Sequence, residues 1–238
     1  MSSDHRPPRR FYGRRHGRRL RAGRERLLQE LLPKLQIALP EGPLSLPDLF
    51  PADRAAYWLE IGFGGGEHLS AQAKAHPSVG FIGCEPFING VARLLTDIDQ
   101  EDLSNIRLFT DDARLLMDRL DEAVISRAFV LFPDPWPKKR HADRRFINRE
   151  NLDTLSRIMR DGAELRFASD EMGYIRWTLK QVRGHPDFEW TAETGQDWKG
   201  RPDDWPPTRY EGKALAAGRS CIYLRFRRRI RTNVEHCG

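Results

Sequence analysis

The sequence predicts a doubly wound α/β domain whose sheet is mostly parallel and carries an antiparallel hairpin at one edge. Three observations predict it. Short apolar runs alternate with helix-period stretches between residues 57 and 182, the βαβα order of a parallel sheet with helical crossovers. The first run, Leu59-Glu60-Ile61, passes into Gly62-Phe63-Gly64-Gly65-Gly66 and then directly into a helical stretch, as a strand does when it turns sharply into its crossover. The last two apolar runs break the alternation and are joined by a Pro/Trp-rich stretch over 194–212, read as a long loop with no clear helix.

Taken in order, strands are expected at 57–61, 80–85, 106–110, 127–132, 164–168, 188–192 and 220–225. Helices are expected at 67–75, 88–97, 113–120, 144–158 and 172–182. The organisation expected is a flexible basic arm over 1–24, a helix and Pro-rich connector packing on the core over 25–54, the domain itself over 55–230, and a polar tail over 231–238. Within the connector, Leu27, Leu28, Leu31, Leu32 and Leu35 share a helical face that Pro33 kinks or ends.

Composition sets the boundaries. A chain of 238 residues with 39% hydrophobic content has the material for one folded core and is not a disordered polymer. No apolar stretch approaches the about 20 residues needed to cross a bilayer. The arginine-rich start lacks the apolar core of a secretion signal, so a cytoplasmic protein with no membrane partner is expected. Cys84, Cys221 and Cys237 have neither disulfide nor metal-ligand spacing, and no metal is expected. The chain carries +6, whereas residues 1–24 hold nine arginines against Asp4 alone, or +8. A basic arm on a mildly acidic body points to a polyanionic partner, and guanidinium pairs bidentately with phosphate.

Acids then mark the crevice. Glu60 precedes the glycine turn, Glu85 ends the second strand and Asp112 follows the third; the carboxyl ends of strands in such a sheet face one crevice. The turn, with Gly62 and Gly64, departs from the dinucleotide fingerprint, because its sixth position is Glu67, an acid where a pyrophosphate would sit. The set fits the cation S-adenosylmethionine. Glu60 stabilises the methionyl end, directly or by fixing the turn; Glu85 accepts from the ribose diol; Asp112 accepts from the adenine amine. Asp111 and Asp112 both precede a helix, so one of them is also the candidate for its cap.

The fourth strand runs into Phe132-Pro133-Asp134-Pro135-Trp136-Pro137-Lys138-Lys139-Arg140-His141. Prolines on both sides stiffen the backbone at Asp134, and Trp136 offers a face on which a base can stack.

Together with Leu59-Glu60-Ile61-Gly62-Phe63-Gly64-Gly65-Gly66 and the late Thr208-Arg209-Tyr210-Glu211, this run resembles the bacterial tRNA (guanine-N7-)-methyltransferases. The resemblance spans the first strand to the last. It implies a class I S-adenosylmethionine-dependent methyltransferase (Rossmann-like) fold and methyl transfer to N7 of guanine 46, in the variable loop of tRNA, with S-adenosylhomocysteine as product. It places Glu60, Glu85, Asp112 and Asp134 against the cofactor, with Asp134 also catalytic. Lys138, Asp170, Thr208, Arg209, Tyr210 and Glu211 are placed on the substrate, and Arg140, His141, Ala142, Asp143, Arg144 and Arg145 on the RNA. The partner implied is tRNA, with no obligatory protein partner. Tyr210 stands where the family commonly has phenylalanine, and Pro86-Phe87 follow Glu85 where an apolar residue and histidine are more usual. Two other readings compete. A methyltransferase for an exocyclic amine or a protein side chain uses a related proline-flanked loop but lacks the extended cationic run. A non-catalytic RNA-binding module would not need acids at successive strand ends.

Overall fold

The computed structural model describes residues 13–232. Among them seven strands form one sheet: β1 (Ala56–Ile61), β2 (Val79–Cys84), β3 (Ile106–Phe109), β4 (Ile125–Leu131), β5 (Met159–Ser169), β6 (Phe188–Trp190) and β7 (Ile222–Arg228). Their order is β3-β2-β1-β4-β5-β7-β6. The first five run parallel, and β7 pairs antiparallel with both β5 and β6. This is the expected class: a doubly wound sheet with an antiparallel edge, the arrangement of class I methyltransferases.

Helices cover both faces because the central strands bury both. In β1, Tyr57, Leu59 and Ile61 point to a core shared with α5 (Ala113–Met117), α6 (Arg149–Ile158) and α7 (Met172–Arg183). Trp58 points the other way, to a core with α3 (Glu67–Ala75), α4 (Ile88–Glu101) and α1 (Ala22–Glu30). That is the period-two alternation of a strand, and it fixes Glu60 on the α3 face. The short α2 (Leu32–Leu35) follows α1, with Pro33 in its first turn, where a missing N–H does no harm. Beyond it Gln36 bridges Leu108, so the chain just after α2 lies along the outer side of β3 and blunts that edge, and Leu44 then bridges Leu120 past the end of α5.

Three expectations need correcting. The stretch between β6 and β7 contains α8 (Gln196–Lys199) and α9 (Arg209–Ala216); Thr208 and Glu211 form a capping box at the start of α9, a signal the neighbouring prolines and Gly212 obscured. The helix expected from residue 144 begins at Arg149, capped by Asn148, after a 3-10 turn over Lys139–Arg144. Strand β5 starts five residues early: Met159 pairs with Ile125, but Glu164 pairs with Arg127. The extra residues, Arg160, Asp161 and Gly162, bulge out to solvent, and their polarity hid the strand.

Candidate active site

The carboxyl ends of β1, β2 and β4 open onto a cleft of about 470 Å³ lined by Gly62, Gly64, Glu85, Asp112, Asp134 and Tyr210 among others. It lies where strand order reverses across β1, the position at which such sheets bind ligands. Two glycines shape its floor. Gly64 has φ +58°, and a Cβ there would stand 2.9 Å from the Tyr210 ring; on α4, a Cβ at Gly90 would stand 2.0 Å from the carbonyl oxygen of Gly64. Only hydrogen at both positions lets α4, the turn and Tyr210 meet.

Glu85 is buried at the cleft wall and accepts from the backbone N–H of Gly64 (2.8 Å) and of Phe87 (2.9 Å). Desolvation raises its pKa against the pull of those two N–H groups, and the nearby Asp134 charge adds to the rise. Asp112 caps α5 through Arg114 N (3.0 Å), and both its oxygens are held by the Arg114 guanidinium; it lines the cleft as a carboxylate already paired. Asp111 instead pairs with Arg15 at 2.6 Å. Glu60 lies under the turn, 3% exposed, accepting from His68 Nδ1 at 2.7 Å. Glu60 thereby ties β1 to α3 beneath the glycines and does not line the cleft.

Asp134 is exposed at the cleft mouth. Its loop carries two non-glycine residues in the left-handed region, Phe132 (φ +49°) and Trp136 (φ +42°), each held there against a cost of about 1–3 kcal/mol. Arg144 lies over the Trp136 ring (4.9 Å) and His141 meets it edge-on (5.9 Å). Desolvation and the charges of Arg144, Arg140 and Lys138 hold His141 below its ordinary pKa. Asp143, Arg144 and Arg145 reach the cleft lining, while Lys138, Arg140 and Ala142 stand outside it.

Of the remaining predicted residues Tyr210 lines the cleft, while Asp170, Thr208, Arg209 and Glu211 stand outside its lining. Asp170 pairs with Arg219 (2.6 Å) and Arg209 with Glu67 (3.8 Å). Glu211 is buried; beyond the capping box with Thr208 it accepts from Tyr223 and pairs with Arg201 (3.1 Å). These contacts fix the start of α9, which presents Tyr210 to the cleft.

Sequence reading missed the reach of the arm. Gly13 and Arg14 line the cleft. Arg15 O accepts from Ile88 N (3.0 Å), Gly17 N donates to Asn89 Oδ1 (2.6 Å), and Asn89 Nδ2 donates to Arg18 O (2.7 Å), so the segment crosses the start of α4. Arg18, Arg19, Arg21 and Arg24 then line a second cavity of about 420 Å³ beside Asn89. Residues 1–12, the rest of the expected flexible arm, lie outside those described. No local pattern announces a contact between residues separated by some seventy positions, as Gly17 and Asn89 are.

The residues fit the group the fold implies. Acids at a partly apolar cleft suit a sulfonium cation with donor-rich ribose and adenine, and the glycine turn gives backbone room beside them. Residues 54–224 match the family model described as putative methyltransferase, so fold and sequence define a methyltransferase. A solved rRNA methylase from Streptococcus thermophilus superposes with TM-score 0.50 at 12% identity, over 74% of this chain and 89% of that one, a likeness of fold alone. The tRNA (guanine-N(7)-)-methyltransferase of Rhodospirillum rubrum is 55% identical over 93% of this chain and 89% of its own length, and that of Chelativorans sp. is 48% identical over 91% and 94%. The chain belongs to the tRNA (guanine-N(7)-)-methyltransferase family.

Proposed function

We propose that the protein transfers a methyl group from S-adenosylmethionine to N7 of guanine 46 in the variable loop of tRNA. The observation that carries this reading is the place of Asp134, exposed between the cleft and the cationic segment that follows it. When bound, S-adenosylmethionine supplies an electrophilic methyl group on a sulfonium.

Guanine N7 offers a lone pair and holds no proton, so the site needs no strong general base. Positive charge passes to the purine as the methyl moves, and the carboxylate of Asp134 stabilises that charge. By accepting from the guanine edge it also orients N7 for in-line attack. Glu85 accepts from the ribose diol, Asp112 shares its Arg114-paired carboxylate with the adenine amine, and Glu60 acts through the turn carrying Gly62 and Gly64. Lys138, Asp170, Thr208, Arg209 and Tyr210 border the base, with Glu211 fixing the start of α9, to which the last three belong. Arg140, His141, Ala142, Asp143 and Arg144 line the RNA path, and Arg18, Arg19, Arg21 and Arg24 add a second set of phosphate ligands. A guanine in a loop suits such a cleft, because single-stranded bases can be splayed out and stacked.

The test is Asp134→Ala in single turnover with tRNA. Methyl transfer should fall by roughly 10²–10³-fold or more while S-adenosylhomocysteine still binds. Transfer at the wild-type rate would overturn the role.

A further inference from the structure

We propose that Arg145 is a positioning residue of the transfer loop and not, like its cationic neighbours, a ligand of the RNA. The assignment rests on the role given to Asp134 above and deepens it: it names what holds Asp134 in place.

In sequence Arg145 closes a stretch, residues 138–145, that holds five lysines and arginines. In space it turns inward and is 7% exposed. Its Nε donates to the carbonyl of Pro135 at 2.9 Å, one Nη donates to the carbonyl of Trp136 at 3.2 Å, and the other Nη reaches the carbonyl of Gly173 at 3.4 Å. The guanidinium lies over the rings of Tyr174 (5.2 Å) and Trp177 (5.4 Å). A planar fork of fixed donors is therefore spent on two successive carbonyls directly after Asp134 and on a third at the start of α7. Those two carbonyls belong to the turn in which Trp136 has φ +42°, a conformation a bulky residue leaves unless its surroundings hold it. Prolines at 133 and 135 limit the backbone on either side of Asp134, but proline has no N–H with which to anchor the loop. The anchor has to come from elsewhere, and Arg145 supplies it by fastening the loop to α7. Lysine at this position would present one charged point and could not bridge the three carbonyls.

The two roles separate by experiment. Arg145→Lys and Arg145→Met should lower kcat at saturating tRNA by about a hundredfold, the scale of a displaced reacting group. The KM for tRNA and the salt dependence of binding should stay as in the wild type. Arg140→Ala, as a contrast, should raise KM for tRNA and reduce the salt slope by about one. An Arg145→Lys enzyme with wild-type kcat, or a salt slope reduced as in Arg140→Ala, would overturn the proposal.

A measurement on the intact wild-type chain decides the matter even where the variants fail to fold. The ¹⁵N side-chain resonances of Arg145 should show slow rotation of the guanidinium in the free protein and no change when tRNA is added. Ordering that appears only with tRNA would make Arg145 an RNA ligand. A wild-type protein that methylates no tRNA would sink the functional reading and leave this resonance test standing.

Discussion

Glu85 carries an energetic cost alongside the function proposed for it. Burial disfavours its charge, two backbone N–H groups partly restore it, and Asp134 nearby adds to the cost, so its pKa lies above the ordinary carboxylate value. The sign of the consequence follows. A carboxyl whose folded-state pKa is raised destabilises the fold in its charged form, and that cost is relieved as pH falls through the raised value. The ligand role proposed for it runs the other way, because a protonated Glu85 loses acceptor capacity toward a ribose diol. Affinity for S-adenosylhomocysteine should therefore decline with falling pH before ordinary carboxylates titrate, while the fold itself does not weaken through this group. Calorimetric titration of wild type and Glu85→Gln across the acid range checks it. The wild type should lose affinity with acidification and the variant should be weak and flat; a wild-type affinity that holds into the ordinary carboxylate range would refute the role.

Elements matter here for what they hold in place. The capping box of Thr208 and Glu211 starts α9 at the point where Tyr210 closes over Gly64, and the carboxylate of Glu211 is further locked by Tyr223 and Arg201. The arm is a second such element. Among its described residues the backbone is seated on Asn89 and Ile88, which puts Arg14 at the cleft and Arg18, Arg19, Arg21 and Arg24 around the second cavity beside Asn89. Removing residues 1–21, which stops short of α1, should weaken tRNA binding and flatten its salt dependence, since every phosphate left without its arginine takes about 0.7–0.9 from the slope. Fluorescence binding measured over a salt series reads this directly. An unchanged slope would make the arm irrelevant to RNA affinity.

At the scale of the whole molecule, what was legible in the sequence is what depends on local pattern. Strands buried on both faces stand out as continuous apolar runs, and the glycine turn announces the first crossover, so the doubly wound sheet and its acids at the strand ends could be read directly. What was not legible depends on distance or on orientation. The direction of Glu60 follows from strand parity, which places it on the α3 face with His68. A basic run does not say which arginine turns inward, so Arg145 looked like its neighbours. The polar bulge of Arg160, Asp161 and Gly162 concealed the first half of β5, and Gly212 with the preceding prolines concealed α9. Charge is arranged on the same large scale: the described part of the basic arm, residues 13–24, lies against a body that places Glu85, Asp112 and Asp134 in one cleft, which suits a cationic cofactor inside and a polyanion outside.

The central claim is the atom that receives the methyl group, and it is tested by mapping that atom. Unmodified tRNA transcript incubated with the protein and labelled S-adenosylmethionine, then reduced and treated with aniline, should be cleaved at a variable-loop guanine that carries the label. Label found on an exocyclic amine or a ribose, with no aniline-sensitive site, would contradict the account.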